Sequence, residues 1–215
     1  MADKILVLNS ASKEFVAPLS KTEPTIIPNF INHDFLTDKH QIRENIKEIV
    51  FVGHVQATKG SKEILEAAKK LPDIHFSLIG PVADEIADLP CPQNVSLVGP
   101  KAPNEVKQYL QDADLYLFPS YTEGFSLSLT EAMAMGLPAV ATDVGANKDM
   151  LEDKGGIIIP IKDSGAIIEA ISKVQDEVIR KQMSDWVISK VRNQYLTDTV
   201  MEQLIAIYRE METRS

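Results

Sequence analysis

The sequence predicts an α/β fold built on a doubly wound parallel sheet of six strands. From about residue 48 onward, short apolar runs alternate with amphipathic helical stretches, which is typical of parallel strands joined by crossover helices. Gly, Pro, Asn or Asp flank the apolar runs, as expected where strands give way to turns. The runs interpreted as strands are Glu48–Val52, Ile74–Ile79, Val95–Val98, Leu115–Phe118, Pro138–Thr142 and Gly156–Pro160.

Helices are predicted between the strands from apolar residues three or four positions apart. Ser61 is well suited to cap the first helix, because a serine hydroxyl there can accept a backbone N–H. Asn104 opens the second helix. The apolar positions are Ile64, Leu65, Ala68 and Leu71 in the first helix, and Val106, Tyr109 and Leu110 in the second.

A third helix is predicted from about Ser126 to Met135. It stops at Gly136, with Pro138 two residues beyond, which is the usual punctuation of a helix C-terminus. Strands linked by right-handed crossovers form a Rossmann-like sheet, whose ligand site lies beyond the carboxyl ends of the strands. We therefore expect function in five loops, at residues 53–60, 80–81, 99–101, 119–125 and 143–149.

The ends of the chain differ from its middle. The N-terminal part has a strand-like run at Ile5–Leu8, a helix near Ser12–Ala17 and then three prolines that break the pattern. We interpret residues 1–45 as the tail of a preceding domain plus a linker, residues 46–195 as the Rossmann-like domain and residues 196–215 as a C-terminal helix.

Composition limits the classes of function. The chain of 215 residues carries 22 Lys and Arg against 31 Asp and Glu, so its net charge is −9. This excess of negative charge argues against binding nucleic acid or an anionic membrane through a basic face. Cys91 is the single cysteine, which rules out an internal disulfide and favours a reducing, cytoplasmic setting. The apolar runs fall far short of the roughly 20 residues of a spanning helix, so no direct membrane span is expected.

The most informative stretch contains two glutamates separated by seven residues. Glu123 lies in the loop after a strand, and Glu131 lies two turns into the following helix. The helix N-terminus near Ser126 offers unpaired backbone N–H groups and a partial positive charge, which would stabilise a phosphate. Gly124 would let the backbone approach that phosphate closely.

This stretch, PSYTEGFSLSLTEAMAMGLP at residues 119–138, resembles the E-x₇-E signature of the retaining glycosyltransferases of group 1, whose GT-B fold has two Rossmann domains. Three further segments occur in the family's order. Ile27–Asn32 is similar to its I-P-N-G-V-D segment, Phe51–His54 with Lys59–Gly60 to its V-G-R-L…K-G loop, and Asp112–Leu115 to its A-D-L strand. The resemblance covers residues 25 to 210.

The resemblance implies the C-terminal, donor-binding domain of such an enzyme, with a UDP-, GDP- or ADP-sugar as the donor. Glu131 would bind the ribose hydroxyls, Lys59 would neutralise the diphosphate, and Glu123 with the backbone of residues 124–126 would hold the sugar and the phosphate nearest it. No metal and no cofactor are expected. The implied catalytic residues are Glu123 and Lys59, and the implied nucleotide-sugar-binding residues are Gly53, His54, Lys59, Glu123, Gly124, Phe125, Ser126, Leu127 and Glu131.

Two residues depart from the family pattern. His54 stands where the family usually carries an arginine on the diphosphate, so phosphate binding is expected to be weaker or pH-dependent. Phe30 replaces the glycine of the usual N-G pair, which would narrow the cleft near the hinge.

The acceptor is expected to bind elsewhere. GT-B enzymes bind it on an N-terminal Rossmann domain, of which residues 1–20 resemble only the tail. We therefore expect a saccharide or lipid acceptor to be bound by a missing N-terminal domain, with membrane association left open for the full-length protein. The chain alone is expected to bind the donor weakly and to transfer almost nothing.

Two other functions remain open on the residues alone. The first is a non-catalytic nucleotide-sugar-binding subunit of a split enzyme, and the second is a GT-B sugar epimerase or phosphorylase. A glycosidase is disfavoured, because it needs two opposed carboxylates and only one glutamate of the motif lies near the expected sugar. The pair Asp112 and Asp114 precedes a strand, which places it at the amino edge of the sheet, opposite the expected ligand.

Overall fold

The computed structural model describes residues 3–212 and contains two parallel sheets. A pair of short strands forms the first, β1 (Leu6–Val7) and β2 (Thr25–Ile26). The second has six parallel strands in the order β5-β4-β3-β6-β7-β8. They are β3 (Glu48–Val52), β4 (His75–Ile79), β5 (Val95–Gly99), β6 (Leu115–Phe118), β7 (Ala139–Thr142) and β8 (Gly156–Ile159). The predicted six-stranded parallel sheet is confirmed, and its boundaries differ from the predicted ones by no more than one residue.

Helices cover both faces of the large sheet. Helix α7 packs beside α2, and α8 packs beside α5. The helices of the described chain are α1 (Ser10–Val16), α2 (Ser61–Lys70), α3 (Asp84–Ala87), α4 (Pro103–Asp112), α5 (Leu127–Ala134), α6 (Asn147–Leu151), α7 (Ser164–Lys173), α8 (Glu177–Gln194) and α9 (Thr197–Glu212). The proposed division at residues 45 and 195 stays a prediction, and its outermost residues, 1–2 and 213–215, lie outside the described part.

The strand order reverses direction between β3 and β6. Successive strands run outward from β3 to β5 on one side and from β6 to β8 on the other. Right-handed crossovers then place α2 and α5 on opposite faces of the sheet, which leaves a crevice where β3 and β6 end. The loops after these two strands, residues 53–60 and 119–126, meet at that crevice.

The centre of the sheet is apolar on both faces, as a covered parallel sheet requires. Every residue of β6 and β7 is buried. Phe51 and Phe118 stack with ring centroids 6.3 Å apart, and Leu129 and Met133 of α5 are fully buried against the sheet. Each such side chain contributes roughly 1.5–3 kcal/mol by leaving water. This core fixes the carboxyl ends of the strands on which the loops are built.

The expected cap of α2 is wrong. Ser61 is the first residue of the helix, and its hydroxyl is buried without a hydrogen-bond partner among the described residues. The N-cap is Gly60, in the left-handed region at φ +75°. A Cβ at Gly60 would lie 2.2 Å from the carbonyl oxygen of Pro119, so the close approach of two loops requires glycine there.

Asp114 has a structural role at the amino end of β6, as its position in the sequence predicts. Its buried carboxylate accepts a hydrogen bond from Arg43 at 2.9 Å. It also accepts the backbone N–H groups of Lys47 at 2.8 Å and of Glu48 at 2.9 Å. These bonds fasten the start of β3 to the start of β6.

No helix within residues 3–212 combines the length and apolar character needed to cross a bilayer.

Asp114→Asn is expected to lower the free energy of unfolding by about 1–3 kcal/mol, because an amide cannot accept all three hydrogen bonds and faces N–H donors with its own N–H₂. Urea denaturation measures the loss. Asp112→Asn is the matched control, since Asp112 is exposed and, among the described residues, its side chain bonds only Gln108. Equal loss in both variants would contradict the structural role of Asp114.

Candidate functional site

An ion pair joins the two loops at the crevice. Lys59 ends a short 3-10 turn at Ala57–Lys59, and its ammonium pairs with the carboxylate of Glu123 in the loop after β6. Both side chains are mostly buried, and the Lys59 ammonium also lies 6.0 Å from the ring centroid of Phe118. The structure thus brings together the two residues that the sequence assigns to catalysis.

Further contacts hold these loops in register. The Tyr121 backbone N–H donates to the Thr58 carbonyl at 2.9 Å, and its phenol donates to the Glu63 carboxylate at 2.6 Å. Burial and the bond to Glu63 raise the pKa of Tyr121, so its hydroxyl stays a donor. Together with Gly60 packed against Pro119, these bonds leave the Lys59 and Glu123 side chains little freedom to separate.

A series of buried polar side chains, linked by hydrogen bonds, supports Glu123. The Ser120 hydroxyl is 3.0 Å from the Glu123 carboxylate, to which it donates. Thr142 donates to the Ser120 carbonyl, and Asn147 donates to the Thr142 carbonyl at 3.1 Å. Ser120, Thr142 and Asn147 are completely buried. Sequence reasoning did not single out these three residues, although Ser120 and Asn147 lie within loops that it marked for function and Thr142 is the last residue of β7. Polar residues at the carboxyl ends of buried parallel strands indicate a site.

Glu131 lies on α5 and has a different environment. Its side chain is half-buried, and no donor in the described part of the chain bonds its carboxylate. Burial raises the pKa of Glu131. The two glutamates therefore have separate environments. Lys59 and Ser120 hold Glu123, and neither of them bonds Glu131. Glu131 therefore keeps its acceptor capacity for a partner such as a pair of hydroxyls.

A row of backbone N–H groups precedes and opens α5. Ser126 is the N-cap, and its hydroxyl accepts the Leu129 N–H at 3.1 Å. Within residues 3–212, the N–H groups of residues 124–128 have no acceptor. Free donors at the positive end of a helix attract an anion. Gly124 is exposed in this row, as expected for a residue that allows close approach.

The other site residues that the resemblance implies are held by fewer polar contacts than Lys59 and Glu123. Gly53 lies against Gly80, where a Cβ would be 2.0 Å from the Gly53 carbonyl oxygen. His54 is exposed, and nothing in the described chain pairs with its ring. Phe125 is buried and meets Tyr195 edge-on at 5.5 Å, so only its backbone faces the site. The Leu127 side chain is exposed.

A cleft of about 790 Å³ adjoins the site rather than coinciding with it. It lies between the N-terminal segment and helices α6, α8 and α9, and it reaches Phe125 and Gly145 but not Lys59, Glu123 or Glu131. By its volume alone, this cleft would be the preferred candidate for a ligand site. The paired charges of Lys59 and Glu123 and the free N–H donors before α5 lie instead at the switch point of the sheet, and such groups specify a ligand where volume does not. Across the described residues, no cluster of three or more His, Cys, Asp or Glu is arranged to hold a metal ion.

A family model described as "Glycosyl transferases group 1" matches residues 32–187 of the chain. The chain is 30% identical over 186 residues to D-inositol 3-phosphate glycosyltransferase of Corynebacterium urealyticum, covering 78% of this chain and 44% of that protein. The chain spans about half the length of the curated relatives it matches.

Two solved structures share the fold. Sucrose-phosphate synthase from Thermosynechococcus elongatus superposes with a TM-score of 0.83 at 20% identity, over 100% of this chain and 60% of that one. Anabaena HepE, in complex with UDP and glucose, superposes with a TM-score of 0.81 at 17% identity, over 97% of this chain and 63% of that one.

Glu131→Gln is expected to stabilise the fold in neutral and alkaline solution. Because burial raises the pKa of Glu131, the ionised carboxylate costs the folded state free energy that a neutral amide does not. The gain is full above the folded-state pKa and disappears as the pH falls below the ordinary value of 4.5.

Urea denaturation at about pH 8 and about pH 4 measures this difference, with exposed Glu169→Gln on α7 as the control. A Glu131→Gln effect that is the same at both pH values would contradict the assigned environment of Glu131.

Proposed function

The chain belongs to the group 1 glycosyltransferases, and from this membership we propose that it is the donor-binding half of a retaining GT-B enzyme that binds a nucleoside-diphosphate sugar. In the proposed reaction the bond between the anomeric carbon and the diphosphate oxygen breaks, and the diphosphate leaves with the electron pair. The anomeric carbon forms a new bond to an acceptor hydroxyl, which loses its proton.

The observation that carries the proposal is the position of Lys59 and Glu123 beside the free amides of residues 124–128. A diphosphate leaving group departs as an anion, so the site needs fixed positive potential more than a proton donor. Lys59 supplies a compact charge and the amides supply oriented dipoles. We propose that they bind the diphosphate.

The two glutamates have separate proposed roles. Glu131 is half-buried and receives no hydrogen bond from the described residues, so it is suited to accept both hydroxyls of a ribose. Glu123, held by Ser120 and Lys59, would accept a sugar hydroxyl from a fixed position. His54 and Gly53, at the carboxyl end of β3, would face the diphosphate, and the exposed His54 ring is free to approach it. No metal or cofactor is required in this proposal.

The identity of the nucleotide is left to experiment among UDP, GDP and ADP. HepE, a neighbour in fold, forms a complex with UDP and glucose, which favours a UDP-sugar as the first donor to test. The fold of HepE is similar to that of this chain over 97% of the chain, so the carboxyl ends of the same strands are available to position a nucleotide. We place the proposed reaction in the cytoplasm.

We propose that a second, N-terminal domain binds the acceptor, a saccharide or a lipid. The short β1–β2 sheet exposes Leu6 and Ile26, the next residue after β1, Leu8, is also exposed, and α1 exposes Phe15. Apolar side chains on a two-stranded sheet indicate a surface that another unit covers. The relatives are about twice as long as the matched part, which is consistent with such a unit.

Glu131→Gln is expected to weaken nucleoside-diphosphate binding about ten- to a hundred-fold, because charge-assisted hydrogen bonds to the ribose are lost. Calorimetry of UDP, GDP and ADP with the wild-type chain and the variant measures this. Glu169→Gln, an exposed glutamate on α7, should bind as the wild type does. Failure of the wild-type chain to bind any of the three nucleotides would contradict the proposed function.

A further inference from the structure

A buried asparagine outside the motif contacts the loop after β6, residues 119–126, which we call the donor loop. Asn9 precedes α1 and is 2% exposed. Its side-chain oxygen accepts the Ser12 N–H at 2.8 Å and so caps α1. Its side-chain N–H₂ donates to the carbonyl oxygen of Gly124 at 2.8 Å, across 115 positions of sequence. Both ends of the amide are used, and a flipped amide would set donor against donor and acceptor against acceptor.

The direction of the Gly124 carbonyl sets the direction of the neighbouring Phe125 N–H. It shares a peptide unit with the N–H of Phe125, and in a trans peptide the two point in opposite directions. The described chain has no cis peptide bond. Holding the Gly124 oxygen toward Asn9 therefore aims the Phe125 N–H away from Asn9, and this N–H has no acceptor in residues 3–212.

Glycine at position 124 makes this restraint necessary. Without a Cβ the backbone around Gly124 has more conformational freedom than any other residue type would allow. A Cβ built on Gly124 would find nothing closer than the Leu8 side chain at 3.8 Å, so there is no close packing at its Cα. Its carbonyl lies against the backbone of Gly145, where a Cβ built on Gly145 would be 2.7 Å from the Gly124 oxygen. Asn9 supplies the hydrogen bond that this crowded carbonyl receives.

The segment that carries Asn9 is itself anchored. The backbone N–H and the hydroxyl of Ser10 donate to the Asp149 carboxylate on α6, at 2.7 and 2.6 Å. The start of α1 is thus fixed to α6, which follows β7, and the donor loop follows the neighbouring strand β6. This anchoring gives Asn9 a defined position from which to hold Gly124.

We propose that Asn9 is a positioning residue for the donor site, which holds the Gly124–Phe125 peptide so that the Phe125 N–H faces the phosphate nearest the sugar. This inference rests on the proposed function. Asn9 touches no reacting atom in it, and acts through the backbone of the donor loop.

The test compares nucleoside diphosphates with monophosphates, because a monophosphate lacks the phosphate that Phe125 would contact. Asn9→Ser keeps a hydroxyl that caps α1 but is too short to serve Gly124 as well. Asn9→Asp keeps the shape and the cap, but places an oxygen against the Gly124 oxygen. Ser12→Ala is the matched control on α1, since it removes only a hydroxyl and keeps the Ser12 backbone N–H that the Asn9 side chain accepts.

Calorimetry with UDP, GDP and ADP, and with UMP, GMP and AMP, gives the readout. Both Asn9 variants should raise the Kd of the bound diphosphate about ten-fold and change that of its monophosphate less than about two-fold. Ser12→Ala should change neither Kd. If the wild-type chain binds diphosphate and the Asn9 variants weaken both ligands equally, or neither, the inference is overturned and the proposed function stands. If the wild-type chain binds no diphosphate, both are overturned.

Discussion

The site depends on how closely the loops after β3 and β6 approach each other. Gly60 lies where any side chain would collide with the Pro119 carbonyl, and the Tyr121 N–H bonds the Thr58 carbonyl across the gap. This contact is what brings Lys59 within ion-pair distance of Glu123. It follows from the reversal of strand order at the centre of the sheet, which places two loops from opposite crossovers at one crevice.

Local and global electrostatics oppose each other in this chain. The net charge of −9 repels a diphosphate at long range, where salt screens the field within about 8–10 Å. In the proposed site, the local attraction would come from the Lys59 ammonium, which is paired with Glu123, and from the oriented N–H groups before α5. Burial of the unpaired Glu131 carboxylate works against stability, and such a cost is typical of a residue retained for binding.

The sheet was predictable because its determinants are local: apolar runs, turn residues and the Gly136 stop of α5. The resemblance assigned Lys59 and Glu123 to one site, but their ion pair was not predicted. The Asn9 contact with Gly124 and the chain from Ser120 to Asn147 were not predictable, because each joins segments that only the tertiary fold brings together. The predicted cap at Ser61 was wrong because the helix takes the preceding Gly60 as its N-cap, at the point where that residue packs against Pro119 of a distant loop.

The central claim is that a diphosphate binds at the switch point of the sheet rather than in the adjoining cleft of about 790 Å³. Amide chemical-shift mapping by NMR, with UDP, GDP or ADP titrated into the labelled chain, tests it most directly. The account predicts the largest changes at the N–H groups of residues 124–128 and at Lys59. Largest changes around Asp149 and Lys190, which line the adjoining cleft, with residues 124–128 unmoved, would contradict it.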